Sequence, residues 1–131
     1  MTRGPAGRDA FAAALALLTG RALTTGELAD RLRRRGYDDT AIVAACERAA
    51  GYGYLDDPRT AAAWAEGAAR RLGYGPRRVR AGLARRLLPR EVIETAAAAV
   101  FGDGGEARFA REALARWART RGGVEDPARR R

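Results

Sequence analysis

Large apolar residues recur along this chain at helical steps of three and four, in short stretches divided by glycine, proline and aspartate signals. A first helix is expected from about Arg8 to Thr19, with Phe11, Leu15 and Leu18 on one face and Gly20 as its break. Thr24-Thr25-Gly26-Glu27 has the spacing of a capping box, in which the Thr24 hydroxyl accepts from the Glu27 N–H and the Glu27 carboxylate reaches back. The helix it opens turns Leu28 and Leu32 inward and ends at Gly36, a residue suited to a left-handed C-cap. Asp38 or Asp39 then caps a third helix, which carries Ile42 and Cys46 inward and runs to about Ala50.

Gly51-Tyr52-Gly53-Tyr54-Leu55 is the first clear junction, and Asp57-Pro58 after it reads as an N-cap followed by proline at the first helical position. That helix carries Trp64 and Leu72 and stops at Gly73. Gly75-Pro76 repeats the signal and opens a helix whose buried stripe is expected to be Val79, Leu83 and Leu87. Pro89 opens the next, with Val92, Ile93 and Val100, and Gly102-Asp103-Gly104-Gly105 ends it. A seventh helix, from about Glu106 to Arg121, places Phe109, Ala113, Leu114 and Trp117 on one face.

The helices repeat. Thr24, Leu28, Leu32, Gly36 and Ile42 each recur 51 residues later as Gly75, Val79, Leu83, Leu87 and Ile93. The expected organisation is a three-helix repeat over 8–55, a second over 56–104, the first helix of an incomplete third over 105–121, and a disordered basic tail over 122–131. Alanine supplies 31 of the 131 residues, so the core must come from closely packed helices with small contact residues. The fold class is therefore all-α.

Charge sharpens the picture. The net +9 is carried by arginine alone, with no lysine in the chain. GC-rich coding accounts for arginine over lysine, but not for the excess of cations, which points to an anionic partner such as nucleic acid. Residues 1–57 hold eight arginines and eight acidic residues, whereas 58–131 hold seventeen and eight, so the whole excess lies in the second part. Arg70, Arg71, Arg77, Arg78, Arg80, Arg85, Arg86 and Arg90 fall within 21 residues that contain no Asp or Glu. A merely solvated face usually mixes signs, so an anion-binding surface is the better reading. Helical geometry sets Arg78 and Arg85 on one flank of the buried stripe and Arg80 on the other, with Arg77 pointing away and Arg86 near enough to bury its stem.

Aromatic residues get a structural reading first. Trp64 and Trp117 lie on apolar faces and are expected to pack in the core. Tyr37, Tyr52, Tyr54 and Tyr74 sit at helix junctions, as lids with exposed hydroxyls; Tyr74, inside the basic stretch, is the one placed with the arginines as a nucleic-acid contact. Asp56 and Asp57 invite a metal or acid–base reading, but a helix cap accounts for them.

With these residues in view the chain resembles the RecX regulatory family. Leu28-Ala29-Asp30-Arg31-Leu32 with Arg35-Gly36, then Gly53-Tyr54-Leu55-Asp56-Asp57, then Arg71, Gly75, Val79 and Leu83 match that family's ordered motifs over roughly residues 8–121. The resemblance implies tandem three-helix repeats in an elongated, curved array, here with the third repeat truncated to its first helix. It also implies a place in DNA repair and recombination: binding to the RecA recombinase and its DNA filament, with modulation, usually inhibition, of the recombinase. In this chain Leu87-Leu88 stands where the family often has Lys-Gly.

Several classes are set aside. Without histidine, and with Cys46 as the only cysteine, neither an intramolecular disulfide nor an ordinary zinc site is expected. No phosphate-binding glycine loop or nucleophile–base pair is present, so no enzyme, cofactor or metal is expected. No long apolar run supports a signal peptide or membrane span, so a cytoplasmic protein is expected; a monomer is the expected state. The competing function is a stand-alone DNA-binding protein of helix-turn-helix type. The complete absence of Asn and Gln weakens sequence-specific readout and favours sequence-independent contact with the DNA backbone.

Overall fold

The computed structural model describes the backbone of residues 6–102 and 105–122 and the side chains of residues 9–102 and 110–120. The described residues form seven helices and no strand: α1 (Ala6–Thr19), α2 (Thr25–Arg34), α3 (Asp39–Gly51), α4 (Asp57–Arg71), α5 (Pro76–Arg85), α6 (Arg90–Phe101) and α7 (Gly105–Gly122). Helices α1 to α3 pack on one another, α4 to α6 do the same, and α7 lies against α6. The tail expected over 122–131 lies outside the described residues, except for the backbone of Gly122, and so does the side chain of Phe109.

Local chemistry explains the helix starts. At α2 both halves of the capping box form: the Glu27 N–H donates to Thr24 Oγ1 at 3.0 Å and the Thr24 N–H to Glu27 Oε1 at 2.9 Å. Asp38, not Asp39, caps α3 by accepting from the Ala41 N–H. The cap of α4 sits one residue earlier than expected: Asp56 accepts from the Arg59 N–H. Asp57 is released to make a different contact, described below. Gly75 and Pro89, both extended, are the N-caps of α5 and α6.

Two separate cores follow the repeat register. One joins Ala10, Ala14, Leu28, Leu32, Ile42 and Ala45; the other joins Ala61, Ala65, Val79, Leu83, Ile93 and Ala96, and each residue is 51 positions from its counterpart. All are buried. Alanines on α1, α3, α4 and α6 let those helices approach closely, while Leu28, Leu32, Val79 and Leu83 supply the bulk, each worth about 1.5–3 kcal/mol when fully buried. At Gly82 the approach is tightest, because an added Cβ would overlap the Trp64 indole.

The second repeat departs from the expected stripe at its turn. Helix α5 ends at Arg85, and Leu87 adopts a left-handed φ of +61°, as Gly36 does at +97° in the first repeat. Leu87 is therefore turned outward and 51% exposed, and Leu88 is buried in its place. The turn keeps its geometry although glycine has been replaced, so Leu87 carries steric strain of roughly 1–2 kcal/mol. Glycine would relieve it at a backbone-entropy cost of about 0.5–1 kcal/mol. Leu87→Gly is expected to raise stability by about 0.5 kcal/mol, read from the denaturant midpoint. A destabilised variant would show that Leu87 contributes packing that outweighs the strain.

Three further expectations are corrected. Leu72 is exposed because α4 ends at Arg71, leaving Leu72 as the C-cap. Leu114 and Trp117 are exposed rather than packed in a core, since α7 has only α6 as its main neighbour among the described residues. Trp64 does pack on the second core, half-buried, and Phe101, not singled out by periodicity, is buried there too.

Candidate nucleic-acid interface

The arginines of the second repeat do not form one uniform cluster. Arg77, Arg85 and Arg90 are exposed and make no ion pair among the described residues. Arg78 is exposed and lies over the Tyr74 ring, its guanidinium carbon 4.3 Å from the centroid. Tyr74 in turn meets Trp64 edge-on at 6.3 Å, so this cation rests on an aromatic shelf anchored in the core. Arg71 lies across Gly67, where a Cβ would collide with its guanidinium. Arg70 pairs with Glu66 at 3.2 Å and Arg80 with Glu94 at 3.1 Å, both on the surface. Such surface pairs are worth about 0–1 kcal/mol and leave the cations available for exchange.

The start of α5 is the most informative place. Its counterpart, the start of α2, is chemically closed, with Thr24 as cap and Glu27 as the answering carboxylate. Moving 51 residues on replaces Thr24 by Gly75, Gly26 by Arg77 and Glu27 by Arg78. Gly75 offers no side chain to cap the helix, and no acidic residue occupies its first turn. Among the described residues no side chain caps this start, so it keeps the positive end of the helix dipole uncompensated and carries Arg77 and Arg78 in its first turn. Cations at a helix N-terminus repel that dipole. A polyanion passing this start is attracted by the dipole and offers a separate phosphate to each arginine.

Arg86 does something else. Its Nε donates to Glu27 Oε2 at 3.0 Å and its Nη2 to Glu27 Oε1 at 2.9 Å, a two-pronged pair linking the repeats. Nη2 also donates to the Ala22 carbonyl, and the Arg86 carbonyl accepts from Thr24 Oγ1 at 2.7 Å. Asp57 joins the seam by accepting from the Thr25 N–H at 2.8 Å and from its hydroxyl at 3.1 Å. At Gly26 an added Cβ would lie 2.5 Å from the Leu87 carbonyl oxygen, so glycine permits the close approach. Arg86 and Glu27 are only 20% and 19% exposed, which withdraws Arg86 from the open arginine set. No local pattern signals this seam, because its partners are 32 to 64 residues apart.

The seam has a pH signature. Burial alone would raise the Glu27 carboxyl. The Arg86 hydrogen bond, the Thr24 N–H and the charges of Arg86 and Arg21 outweigh it and hold the carboxyl below its ordinary 4.5. A depressed folded pKa contributes stability that is present above the ordinary value and lost as pH falls through the folded value. Stability is therefore expected to decline on acidification below about pH 4.5, and Glu27→Gln to flatten that part of the profile. Identical slopes for both proteins in acid denaturation would remove Glu27 from the account.

The models of the RecX first and second three-helix domains match residues 10–48 and 56–96, in the two repeats seen here. A regulatory protein RecX of Xanthomonas oryzae pv. oryzae (strain MAFF 311018) is 38% identical over 117 residues, covering 89% of this chain and 71% of the relative. The chain belongs to the RecX family. A regulatory protein RecX of Mycobacterium sp. (strain KMS) is 36% identical over 108 residues, and that alignment spans 82% of this chain but 58% of the longer relative. The crystal structure of RecX from Lactobacillus salivarius superposes with a TM-score of 0.75 at 16% identity, over 95% of this chain and 79% of that one, a likeness of fold. RecX membership makes this a chain of a regulatory family built from tandem three-helix domains. No helix among the described residues is long and apolar enough to cross a membrane. Nor do the described Cys, Asp and Glu residues form a group that could hold a metal ion.

Proposed function

We propose that this RecX-family chain binds the RecA recombinase on its DNA filament and lowers recombinase activity, acting as a cytoplasmic monomer and not as a catalyst. The observation that carries the reading is the open start of α5. Where the first repeat closes the helix with Thr24 and Glu27, the second presents Gly75, Arg77 and Arg78. Arg77 and Arg78 meet successive DNA phosphates there. Arg85, Arg90, Arg70 and Arg71 extend the basic track, and Arg80 joins it by exchanging Glu94 for phosphate. Tyr74 keeps Arg78 in place from below.

Contacts of this kind read the backbone and not the base sequence. The first repeat, neutral and joined through the Arg86 seam, holds the second at a set orientation along the filament. Occupying the filament surface obstructs subunit addition and strand exchange by bulk and charge. A pull-down with recombinase, with and without single-stranded DNA, tests this: retention is expected to be strongest on the assembled filament. Retention by neither the free recombinase nor the filament would contradict it. A sharp, sequence-dependent mobility shift on duplex DNA alone would favour a stand-alone DNA-binding protein instead.

A further inference from the structure

A second feature lies in the neutral first repeat, away from the arginines assigned above. Phe11, Arg48, Tyr52 and Tyr54 form a column. The Arg48 guanidinium carbon sits 4.2 Å from the Phe11 centroid and 6.0 Å from that of Tyr52. Phe11 and Tyr52 are 5.9 Å apart, and Tyr52 stacks on Tyr54 at 5.6 Å with 24° between the planes. The backbone fixes the pair: the Tyr52 N–H donates to Arg48, the Tyr54 N–H to Ala49, and Gly53 turns between them at φ +82°. Leu55, buried immediately after, anchors the turn.

Tyr52 and Tyr54 sit at the junction after α3, where the sequence places them, Tyr52 against Phe11 of α1. Tyr37 packs against the first core with its hydroxyl donating to the Asp9 carbonyl instead of standing exposed, whereas Tyr52 and Tyr54 remain 59% and 54% exposed. The column ends at Tyr54, whose ring meets no further ring or guanidinium among the described residues. The corresponding positions 51 residues on are Asp103 and Gly105, so the first repeat alone carries the pair.

We infer that Tyr52 and Tyr54 are a stacking platform for an unpaired base of single-stranded DNA. Near-parallel rings extend naturally onto another planar π-system, and every base offers one whatever its sequence. Only an unpaired strand presents its base faces; a duplex hides them. Arg48 beside the column, and the basic second repeat on the same chain, favour a polyanion carrying those bases over a neutral aromatic peptide. The inference rests on the DNA contact proposed above and adds a second contact of a different kind on the other repeat.

The test uses the full chain with a labelled oligodeoxythymidine and an abasic oligomer of the same length, followed by fluorescence anisotropy. Tyr54→Ala is expected to weaken oligodeoxythymidine binding about tenfold, Tyr54→Phe to preserve it, and the salt slope to stay unchanged because no phosphate contact is lost. On the abasic oligomer, wild type and Tyr54→Ala are expected to bind alike. Tyr52→Leu serves as a second variant, and far-UV circular dichroism checks that each remains helical. Equal binding of wild type and Tyr54→Ala to oligodeoxythymidine, or an equal loss on both oligomers, would overturn the inference alone. So would a Tyr54→Ala defect confined to DNA-free recombinase, which would assign the rings to a protein partner. A wild-type chain without salt-sensitive binding to either oligomer would overturn this inference and the DNA contact together.

Discussion

Replacing Arg77 and Arg78 together by glutamine is expected to lower affinity for single-stranded DNA by on the order of tenfold near 0.1 M salt and to reduce the salt slope by about 1.4. The slope is the more telling number. Each phosphate contact on a single strand contributes about 0.7 through counterion release, so losing two contacts changes the exponent as well as the intercept. Arg80→Gln makes a sharp control on the same helix, because Arg80 must first give up Glu94 and its net gain from phosphate is smaller. A double variant with wild-type slope would show that the open α5 start does not meet phosphate. A slope reduced equally by any single arginine change would point to a diffuse field and not a site.

The second large effect concerns Arg86. Arg86→Ala is expected to cost about 2 kcal/mol, read from denaturant unfolding. Breaking a fully buried pair costs about 3–5 kcal/mol, and some water reaches this one. The loss has three parts: the two-pronged bond to Glu27, the bond to the Ala22 carbonyl, and a carboxylate left half-buried without its cation. A cycle with Glu27→Ala separates the pair from the rest. A coupling of about 1–2 kcal/mol is expected for groups in direct contact. Additive losses would mean that the seam is held by Thr24, Thr25 and Asp57 and not by the ion pair. DNA binding by Arg86→Ala should fall much less than in the Arg77 and Arg78 variant, because Arg86 does not face solvent freely.

Much of this architecture can be read directly from the chain. The capping box at Thr24 and Glu27, the Gly75-Pro76 start and the inward positions Leu28, Leu32, Val79, Leu83, Ile42 and Ile93 are local or periodic signals, and local hydrogen bonds and helical spacing decide them. Three features were less legible. The left-handed turn at Leu87 contradicts the local preference of leucine, and only the packing around it imposes that conformation. Asp56 and Asp57 are interchangeable as caps in sequence, and the choice falls to Asp56 because Thr25 claims Asp57 from the other repeat. Arg86 belongs by sequence to the basic stretch and by structure to the seam, a distinction that depends on a partner in another helix.

The arginine surface was legible in outline only. An acid-free run shows where positive charge accumulates but not which guanidinium groups find carboxylates across the fold, as Arg70 and Arg80 do with Glu66 and Glu94. Aligning the two repeats recovers the sharper distinction, since Glu27 and Arg78 occupy one position in two copies of the same helix start.

The central claim is that this second-repeat start gives the chain its hold on a recombinase filament. It is tested most directly by ATP hydrolysis of the cognate RecA on single-stranded DNA, titrated with the wild-type chain and with the chain bearing Arg77→Glu and Arg78→Glu. The account predicts that the wild type suppresses hydrolysis in a saturable manner. The reversed variant, helical by circular dichroism, should need at least tenfold more protein for the same effect, two charge reversals costing no less than the corresponding neutralisations. Equal suppression by both proteins, or none by the wild type at saturation, would contradict it.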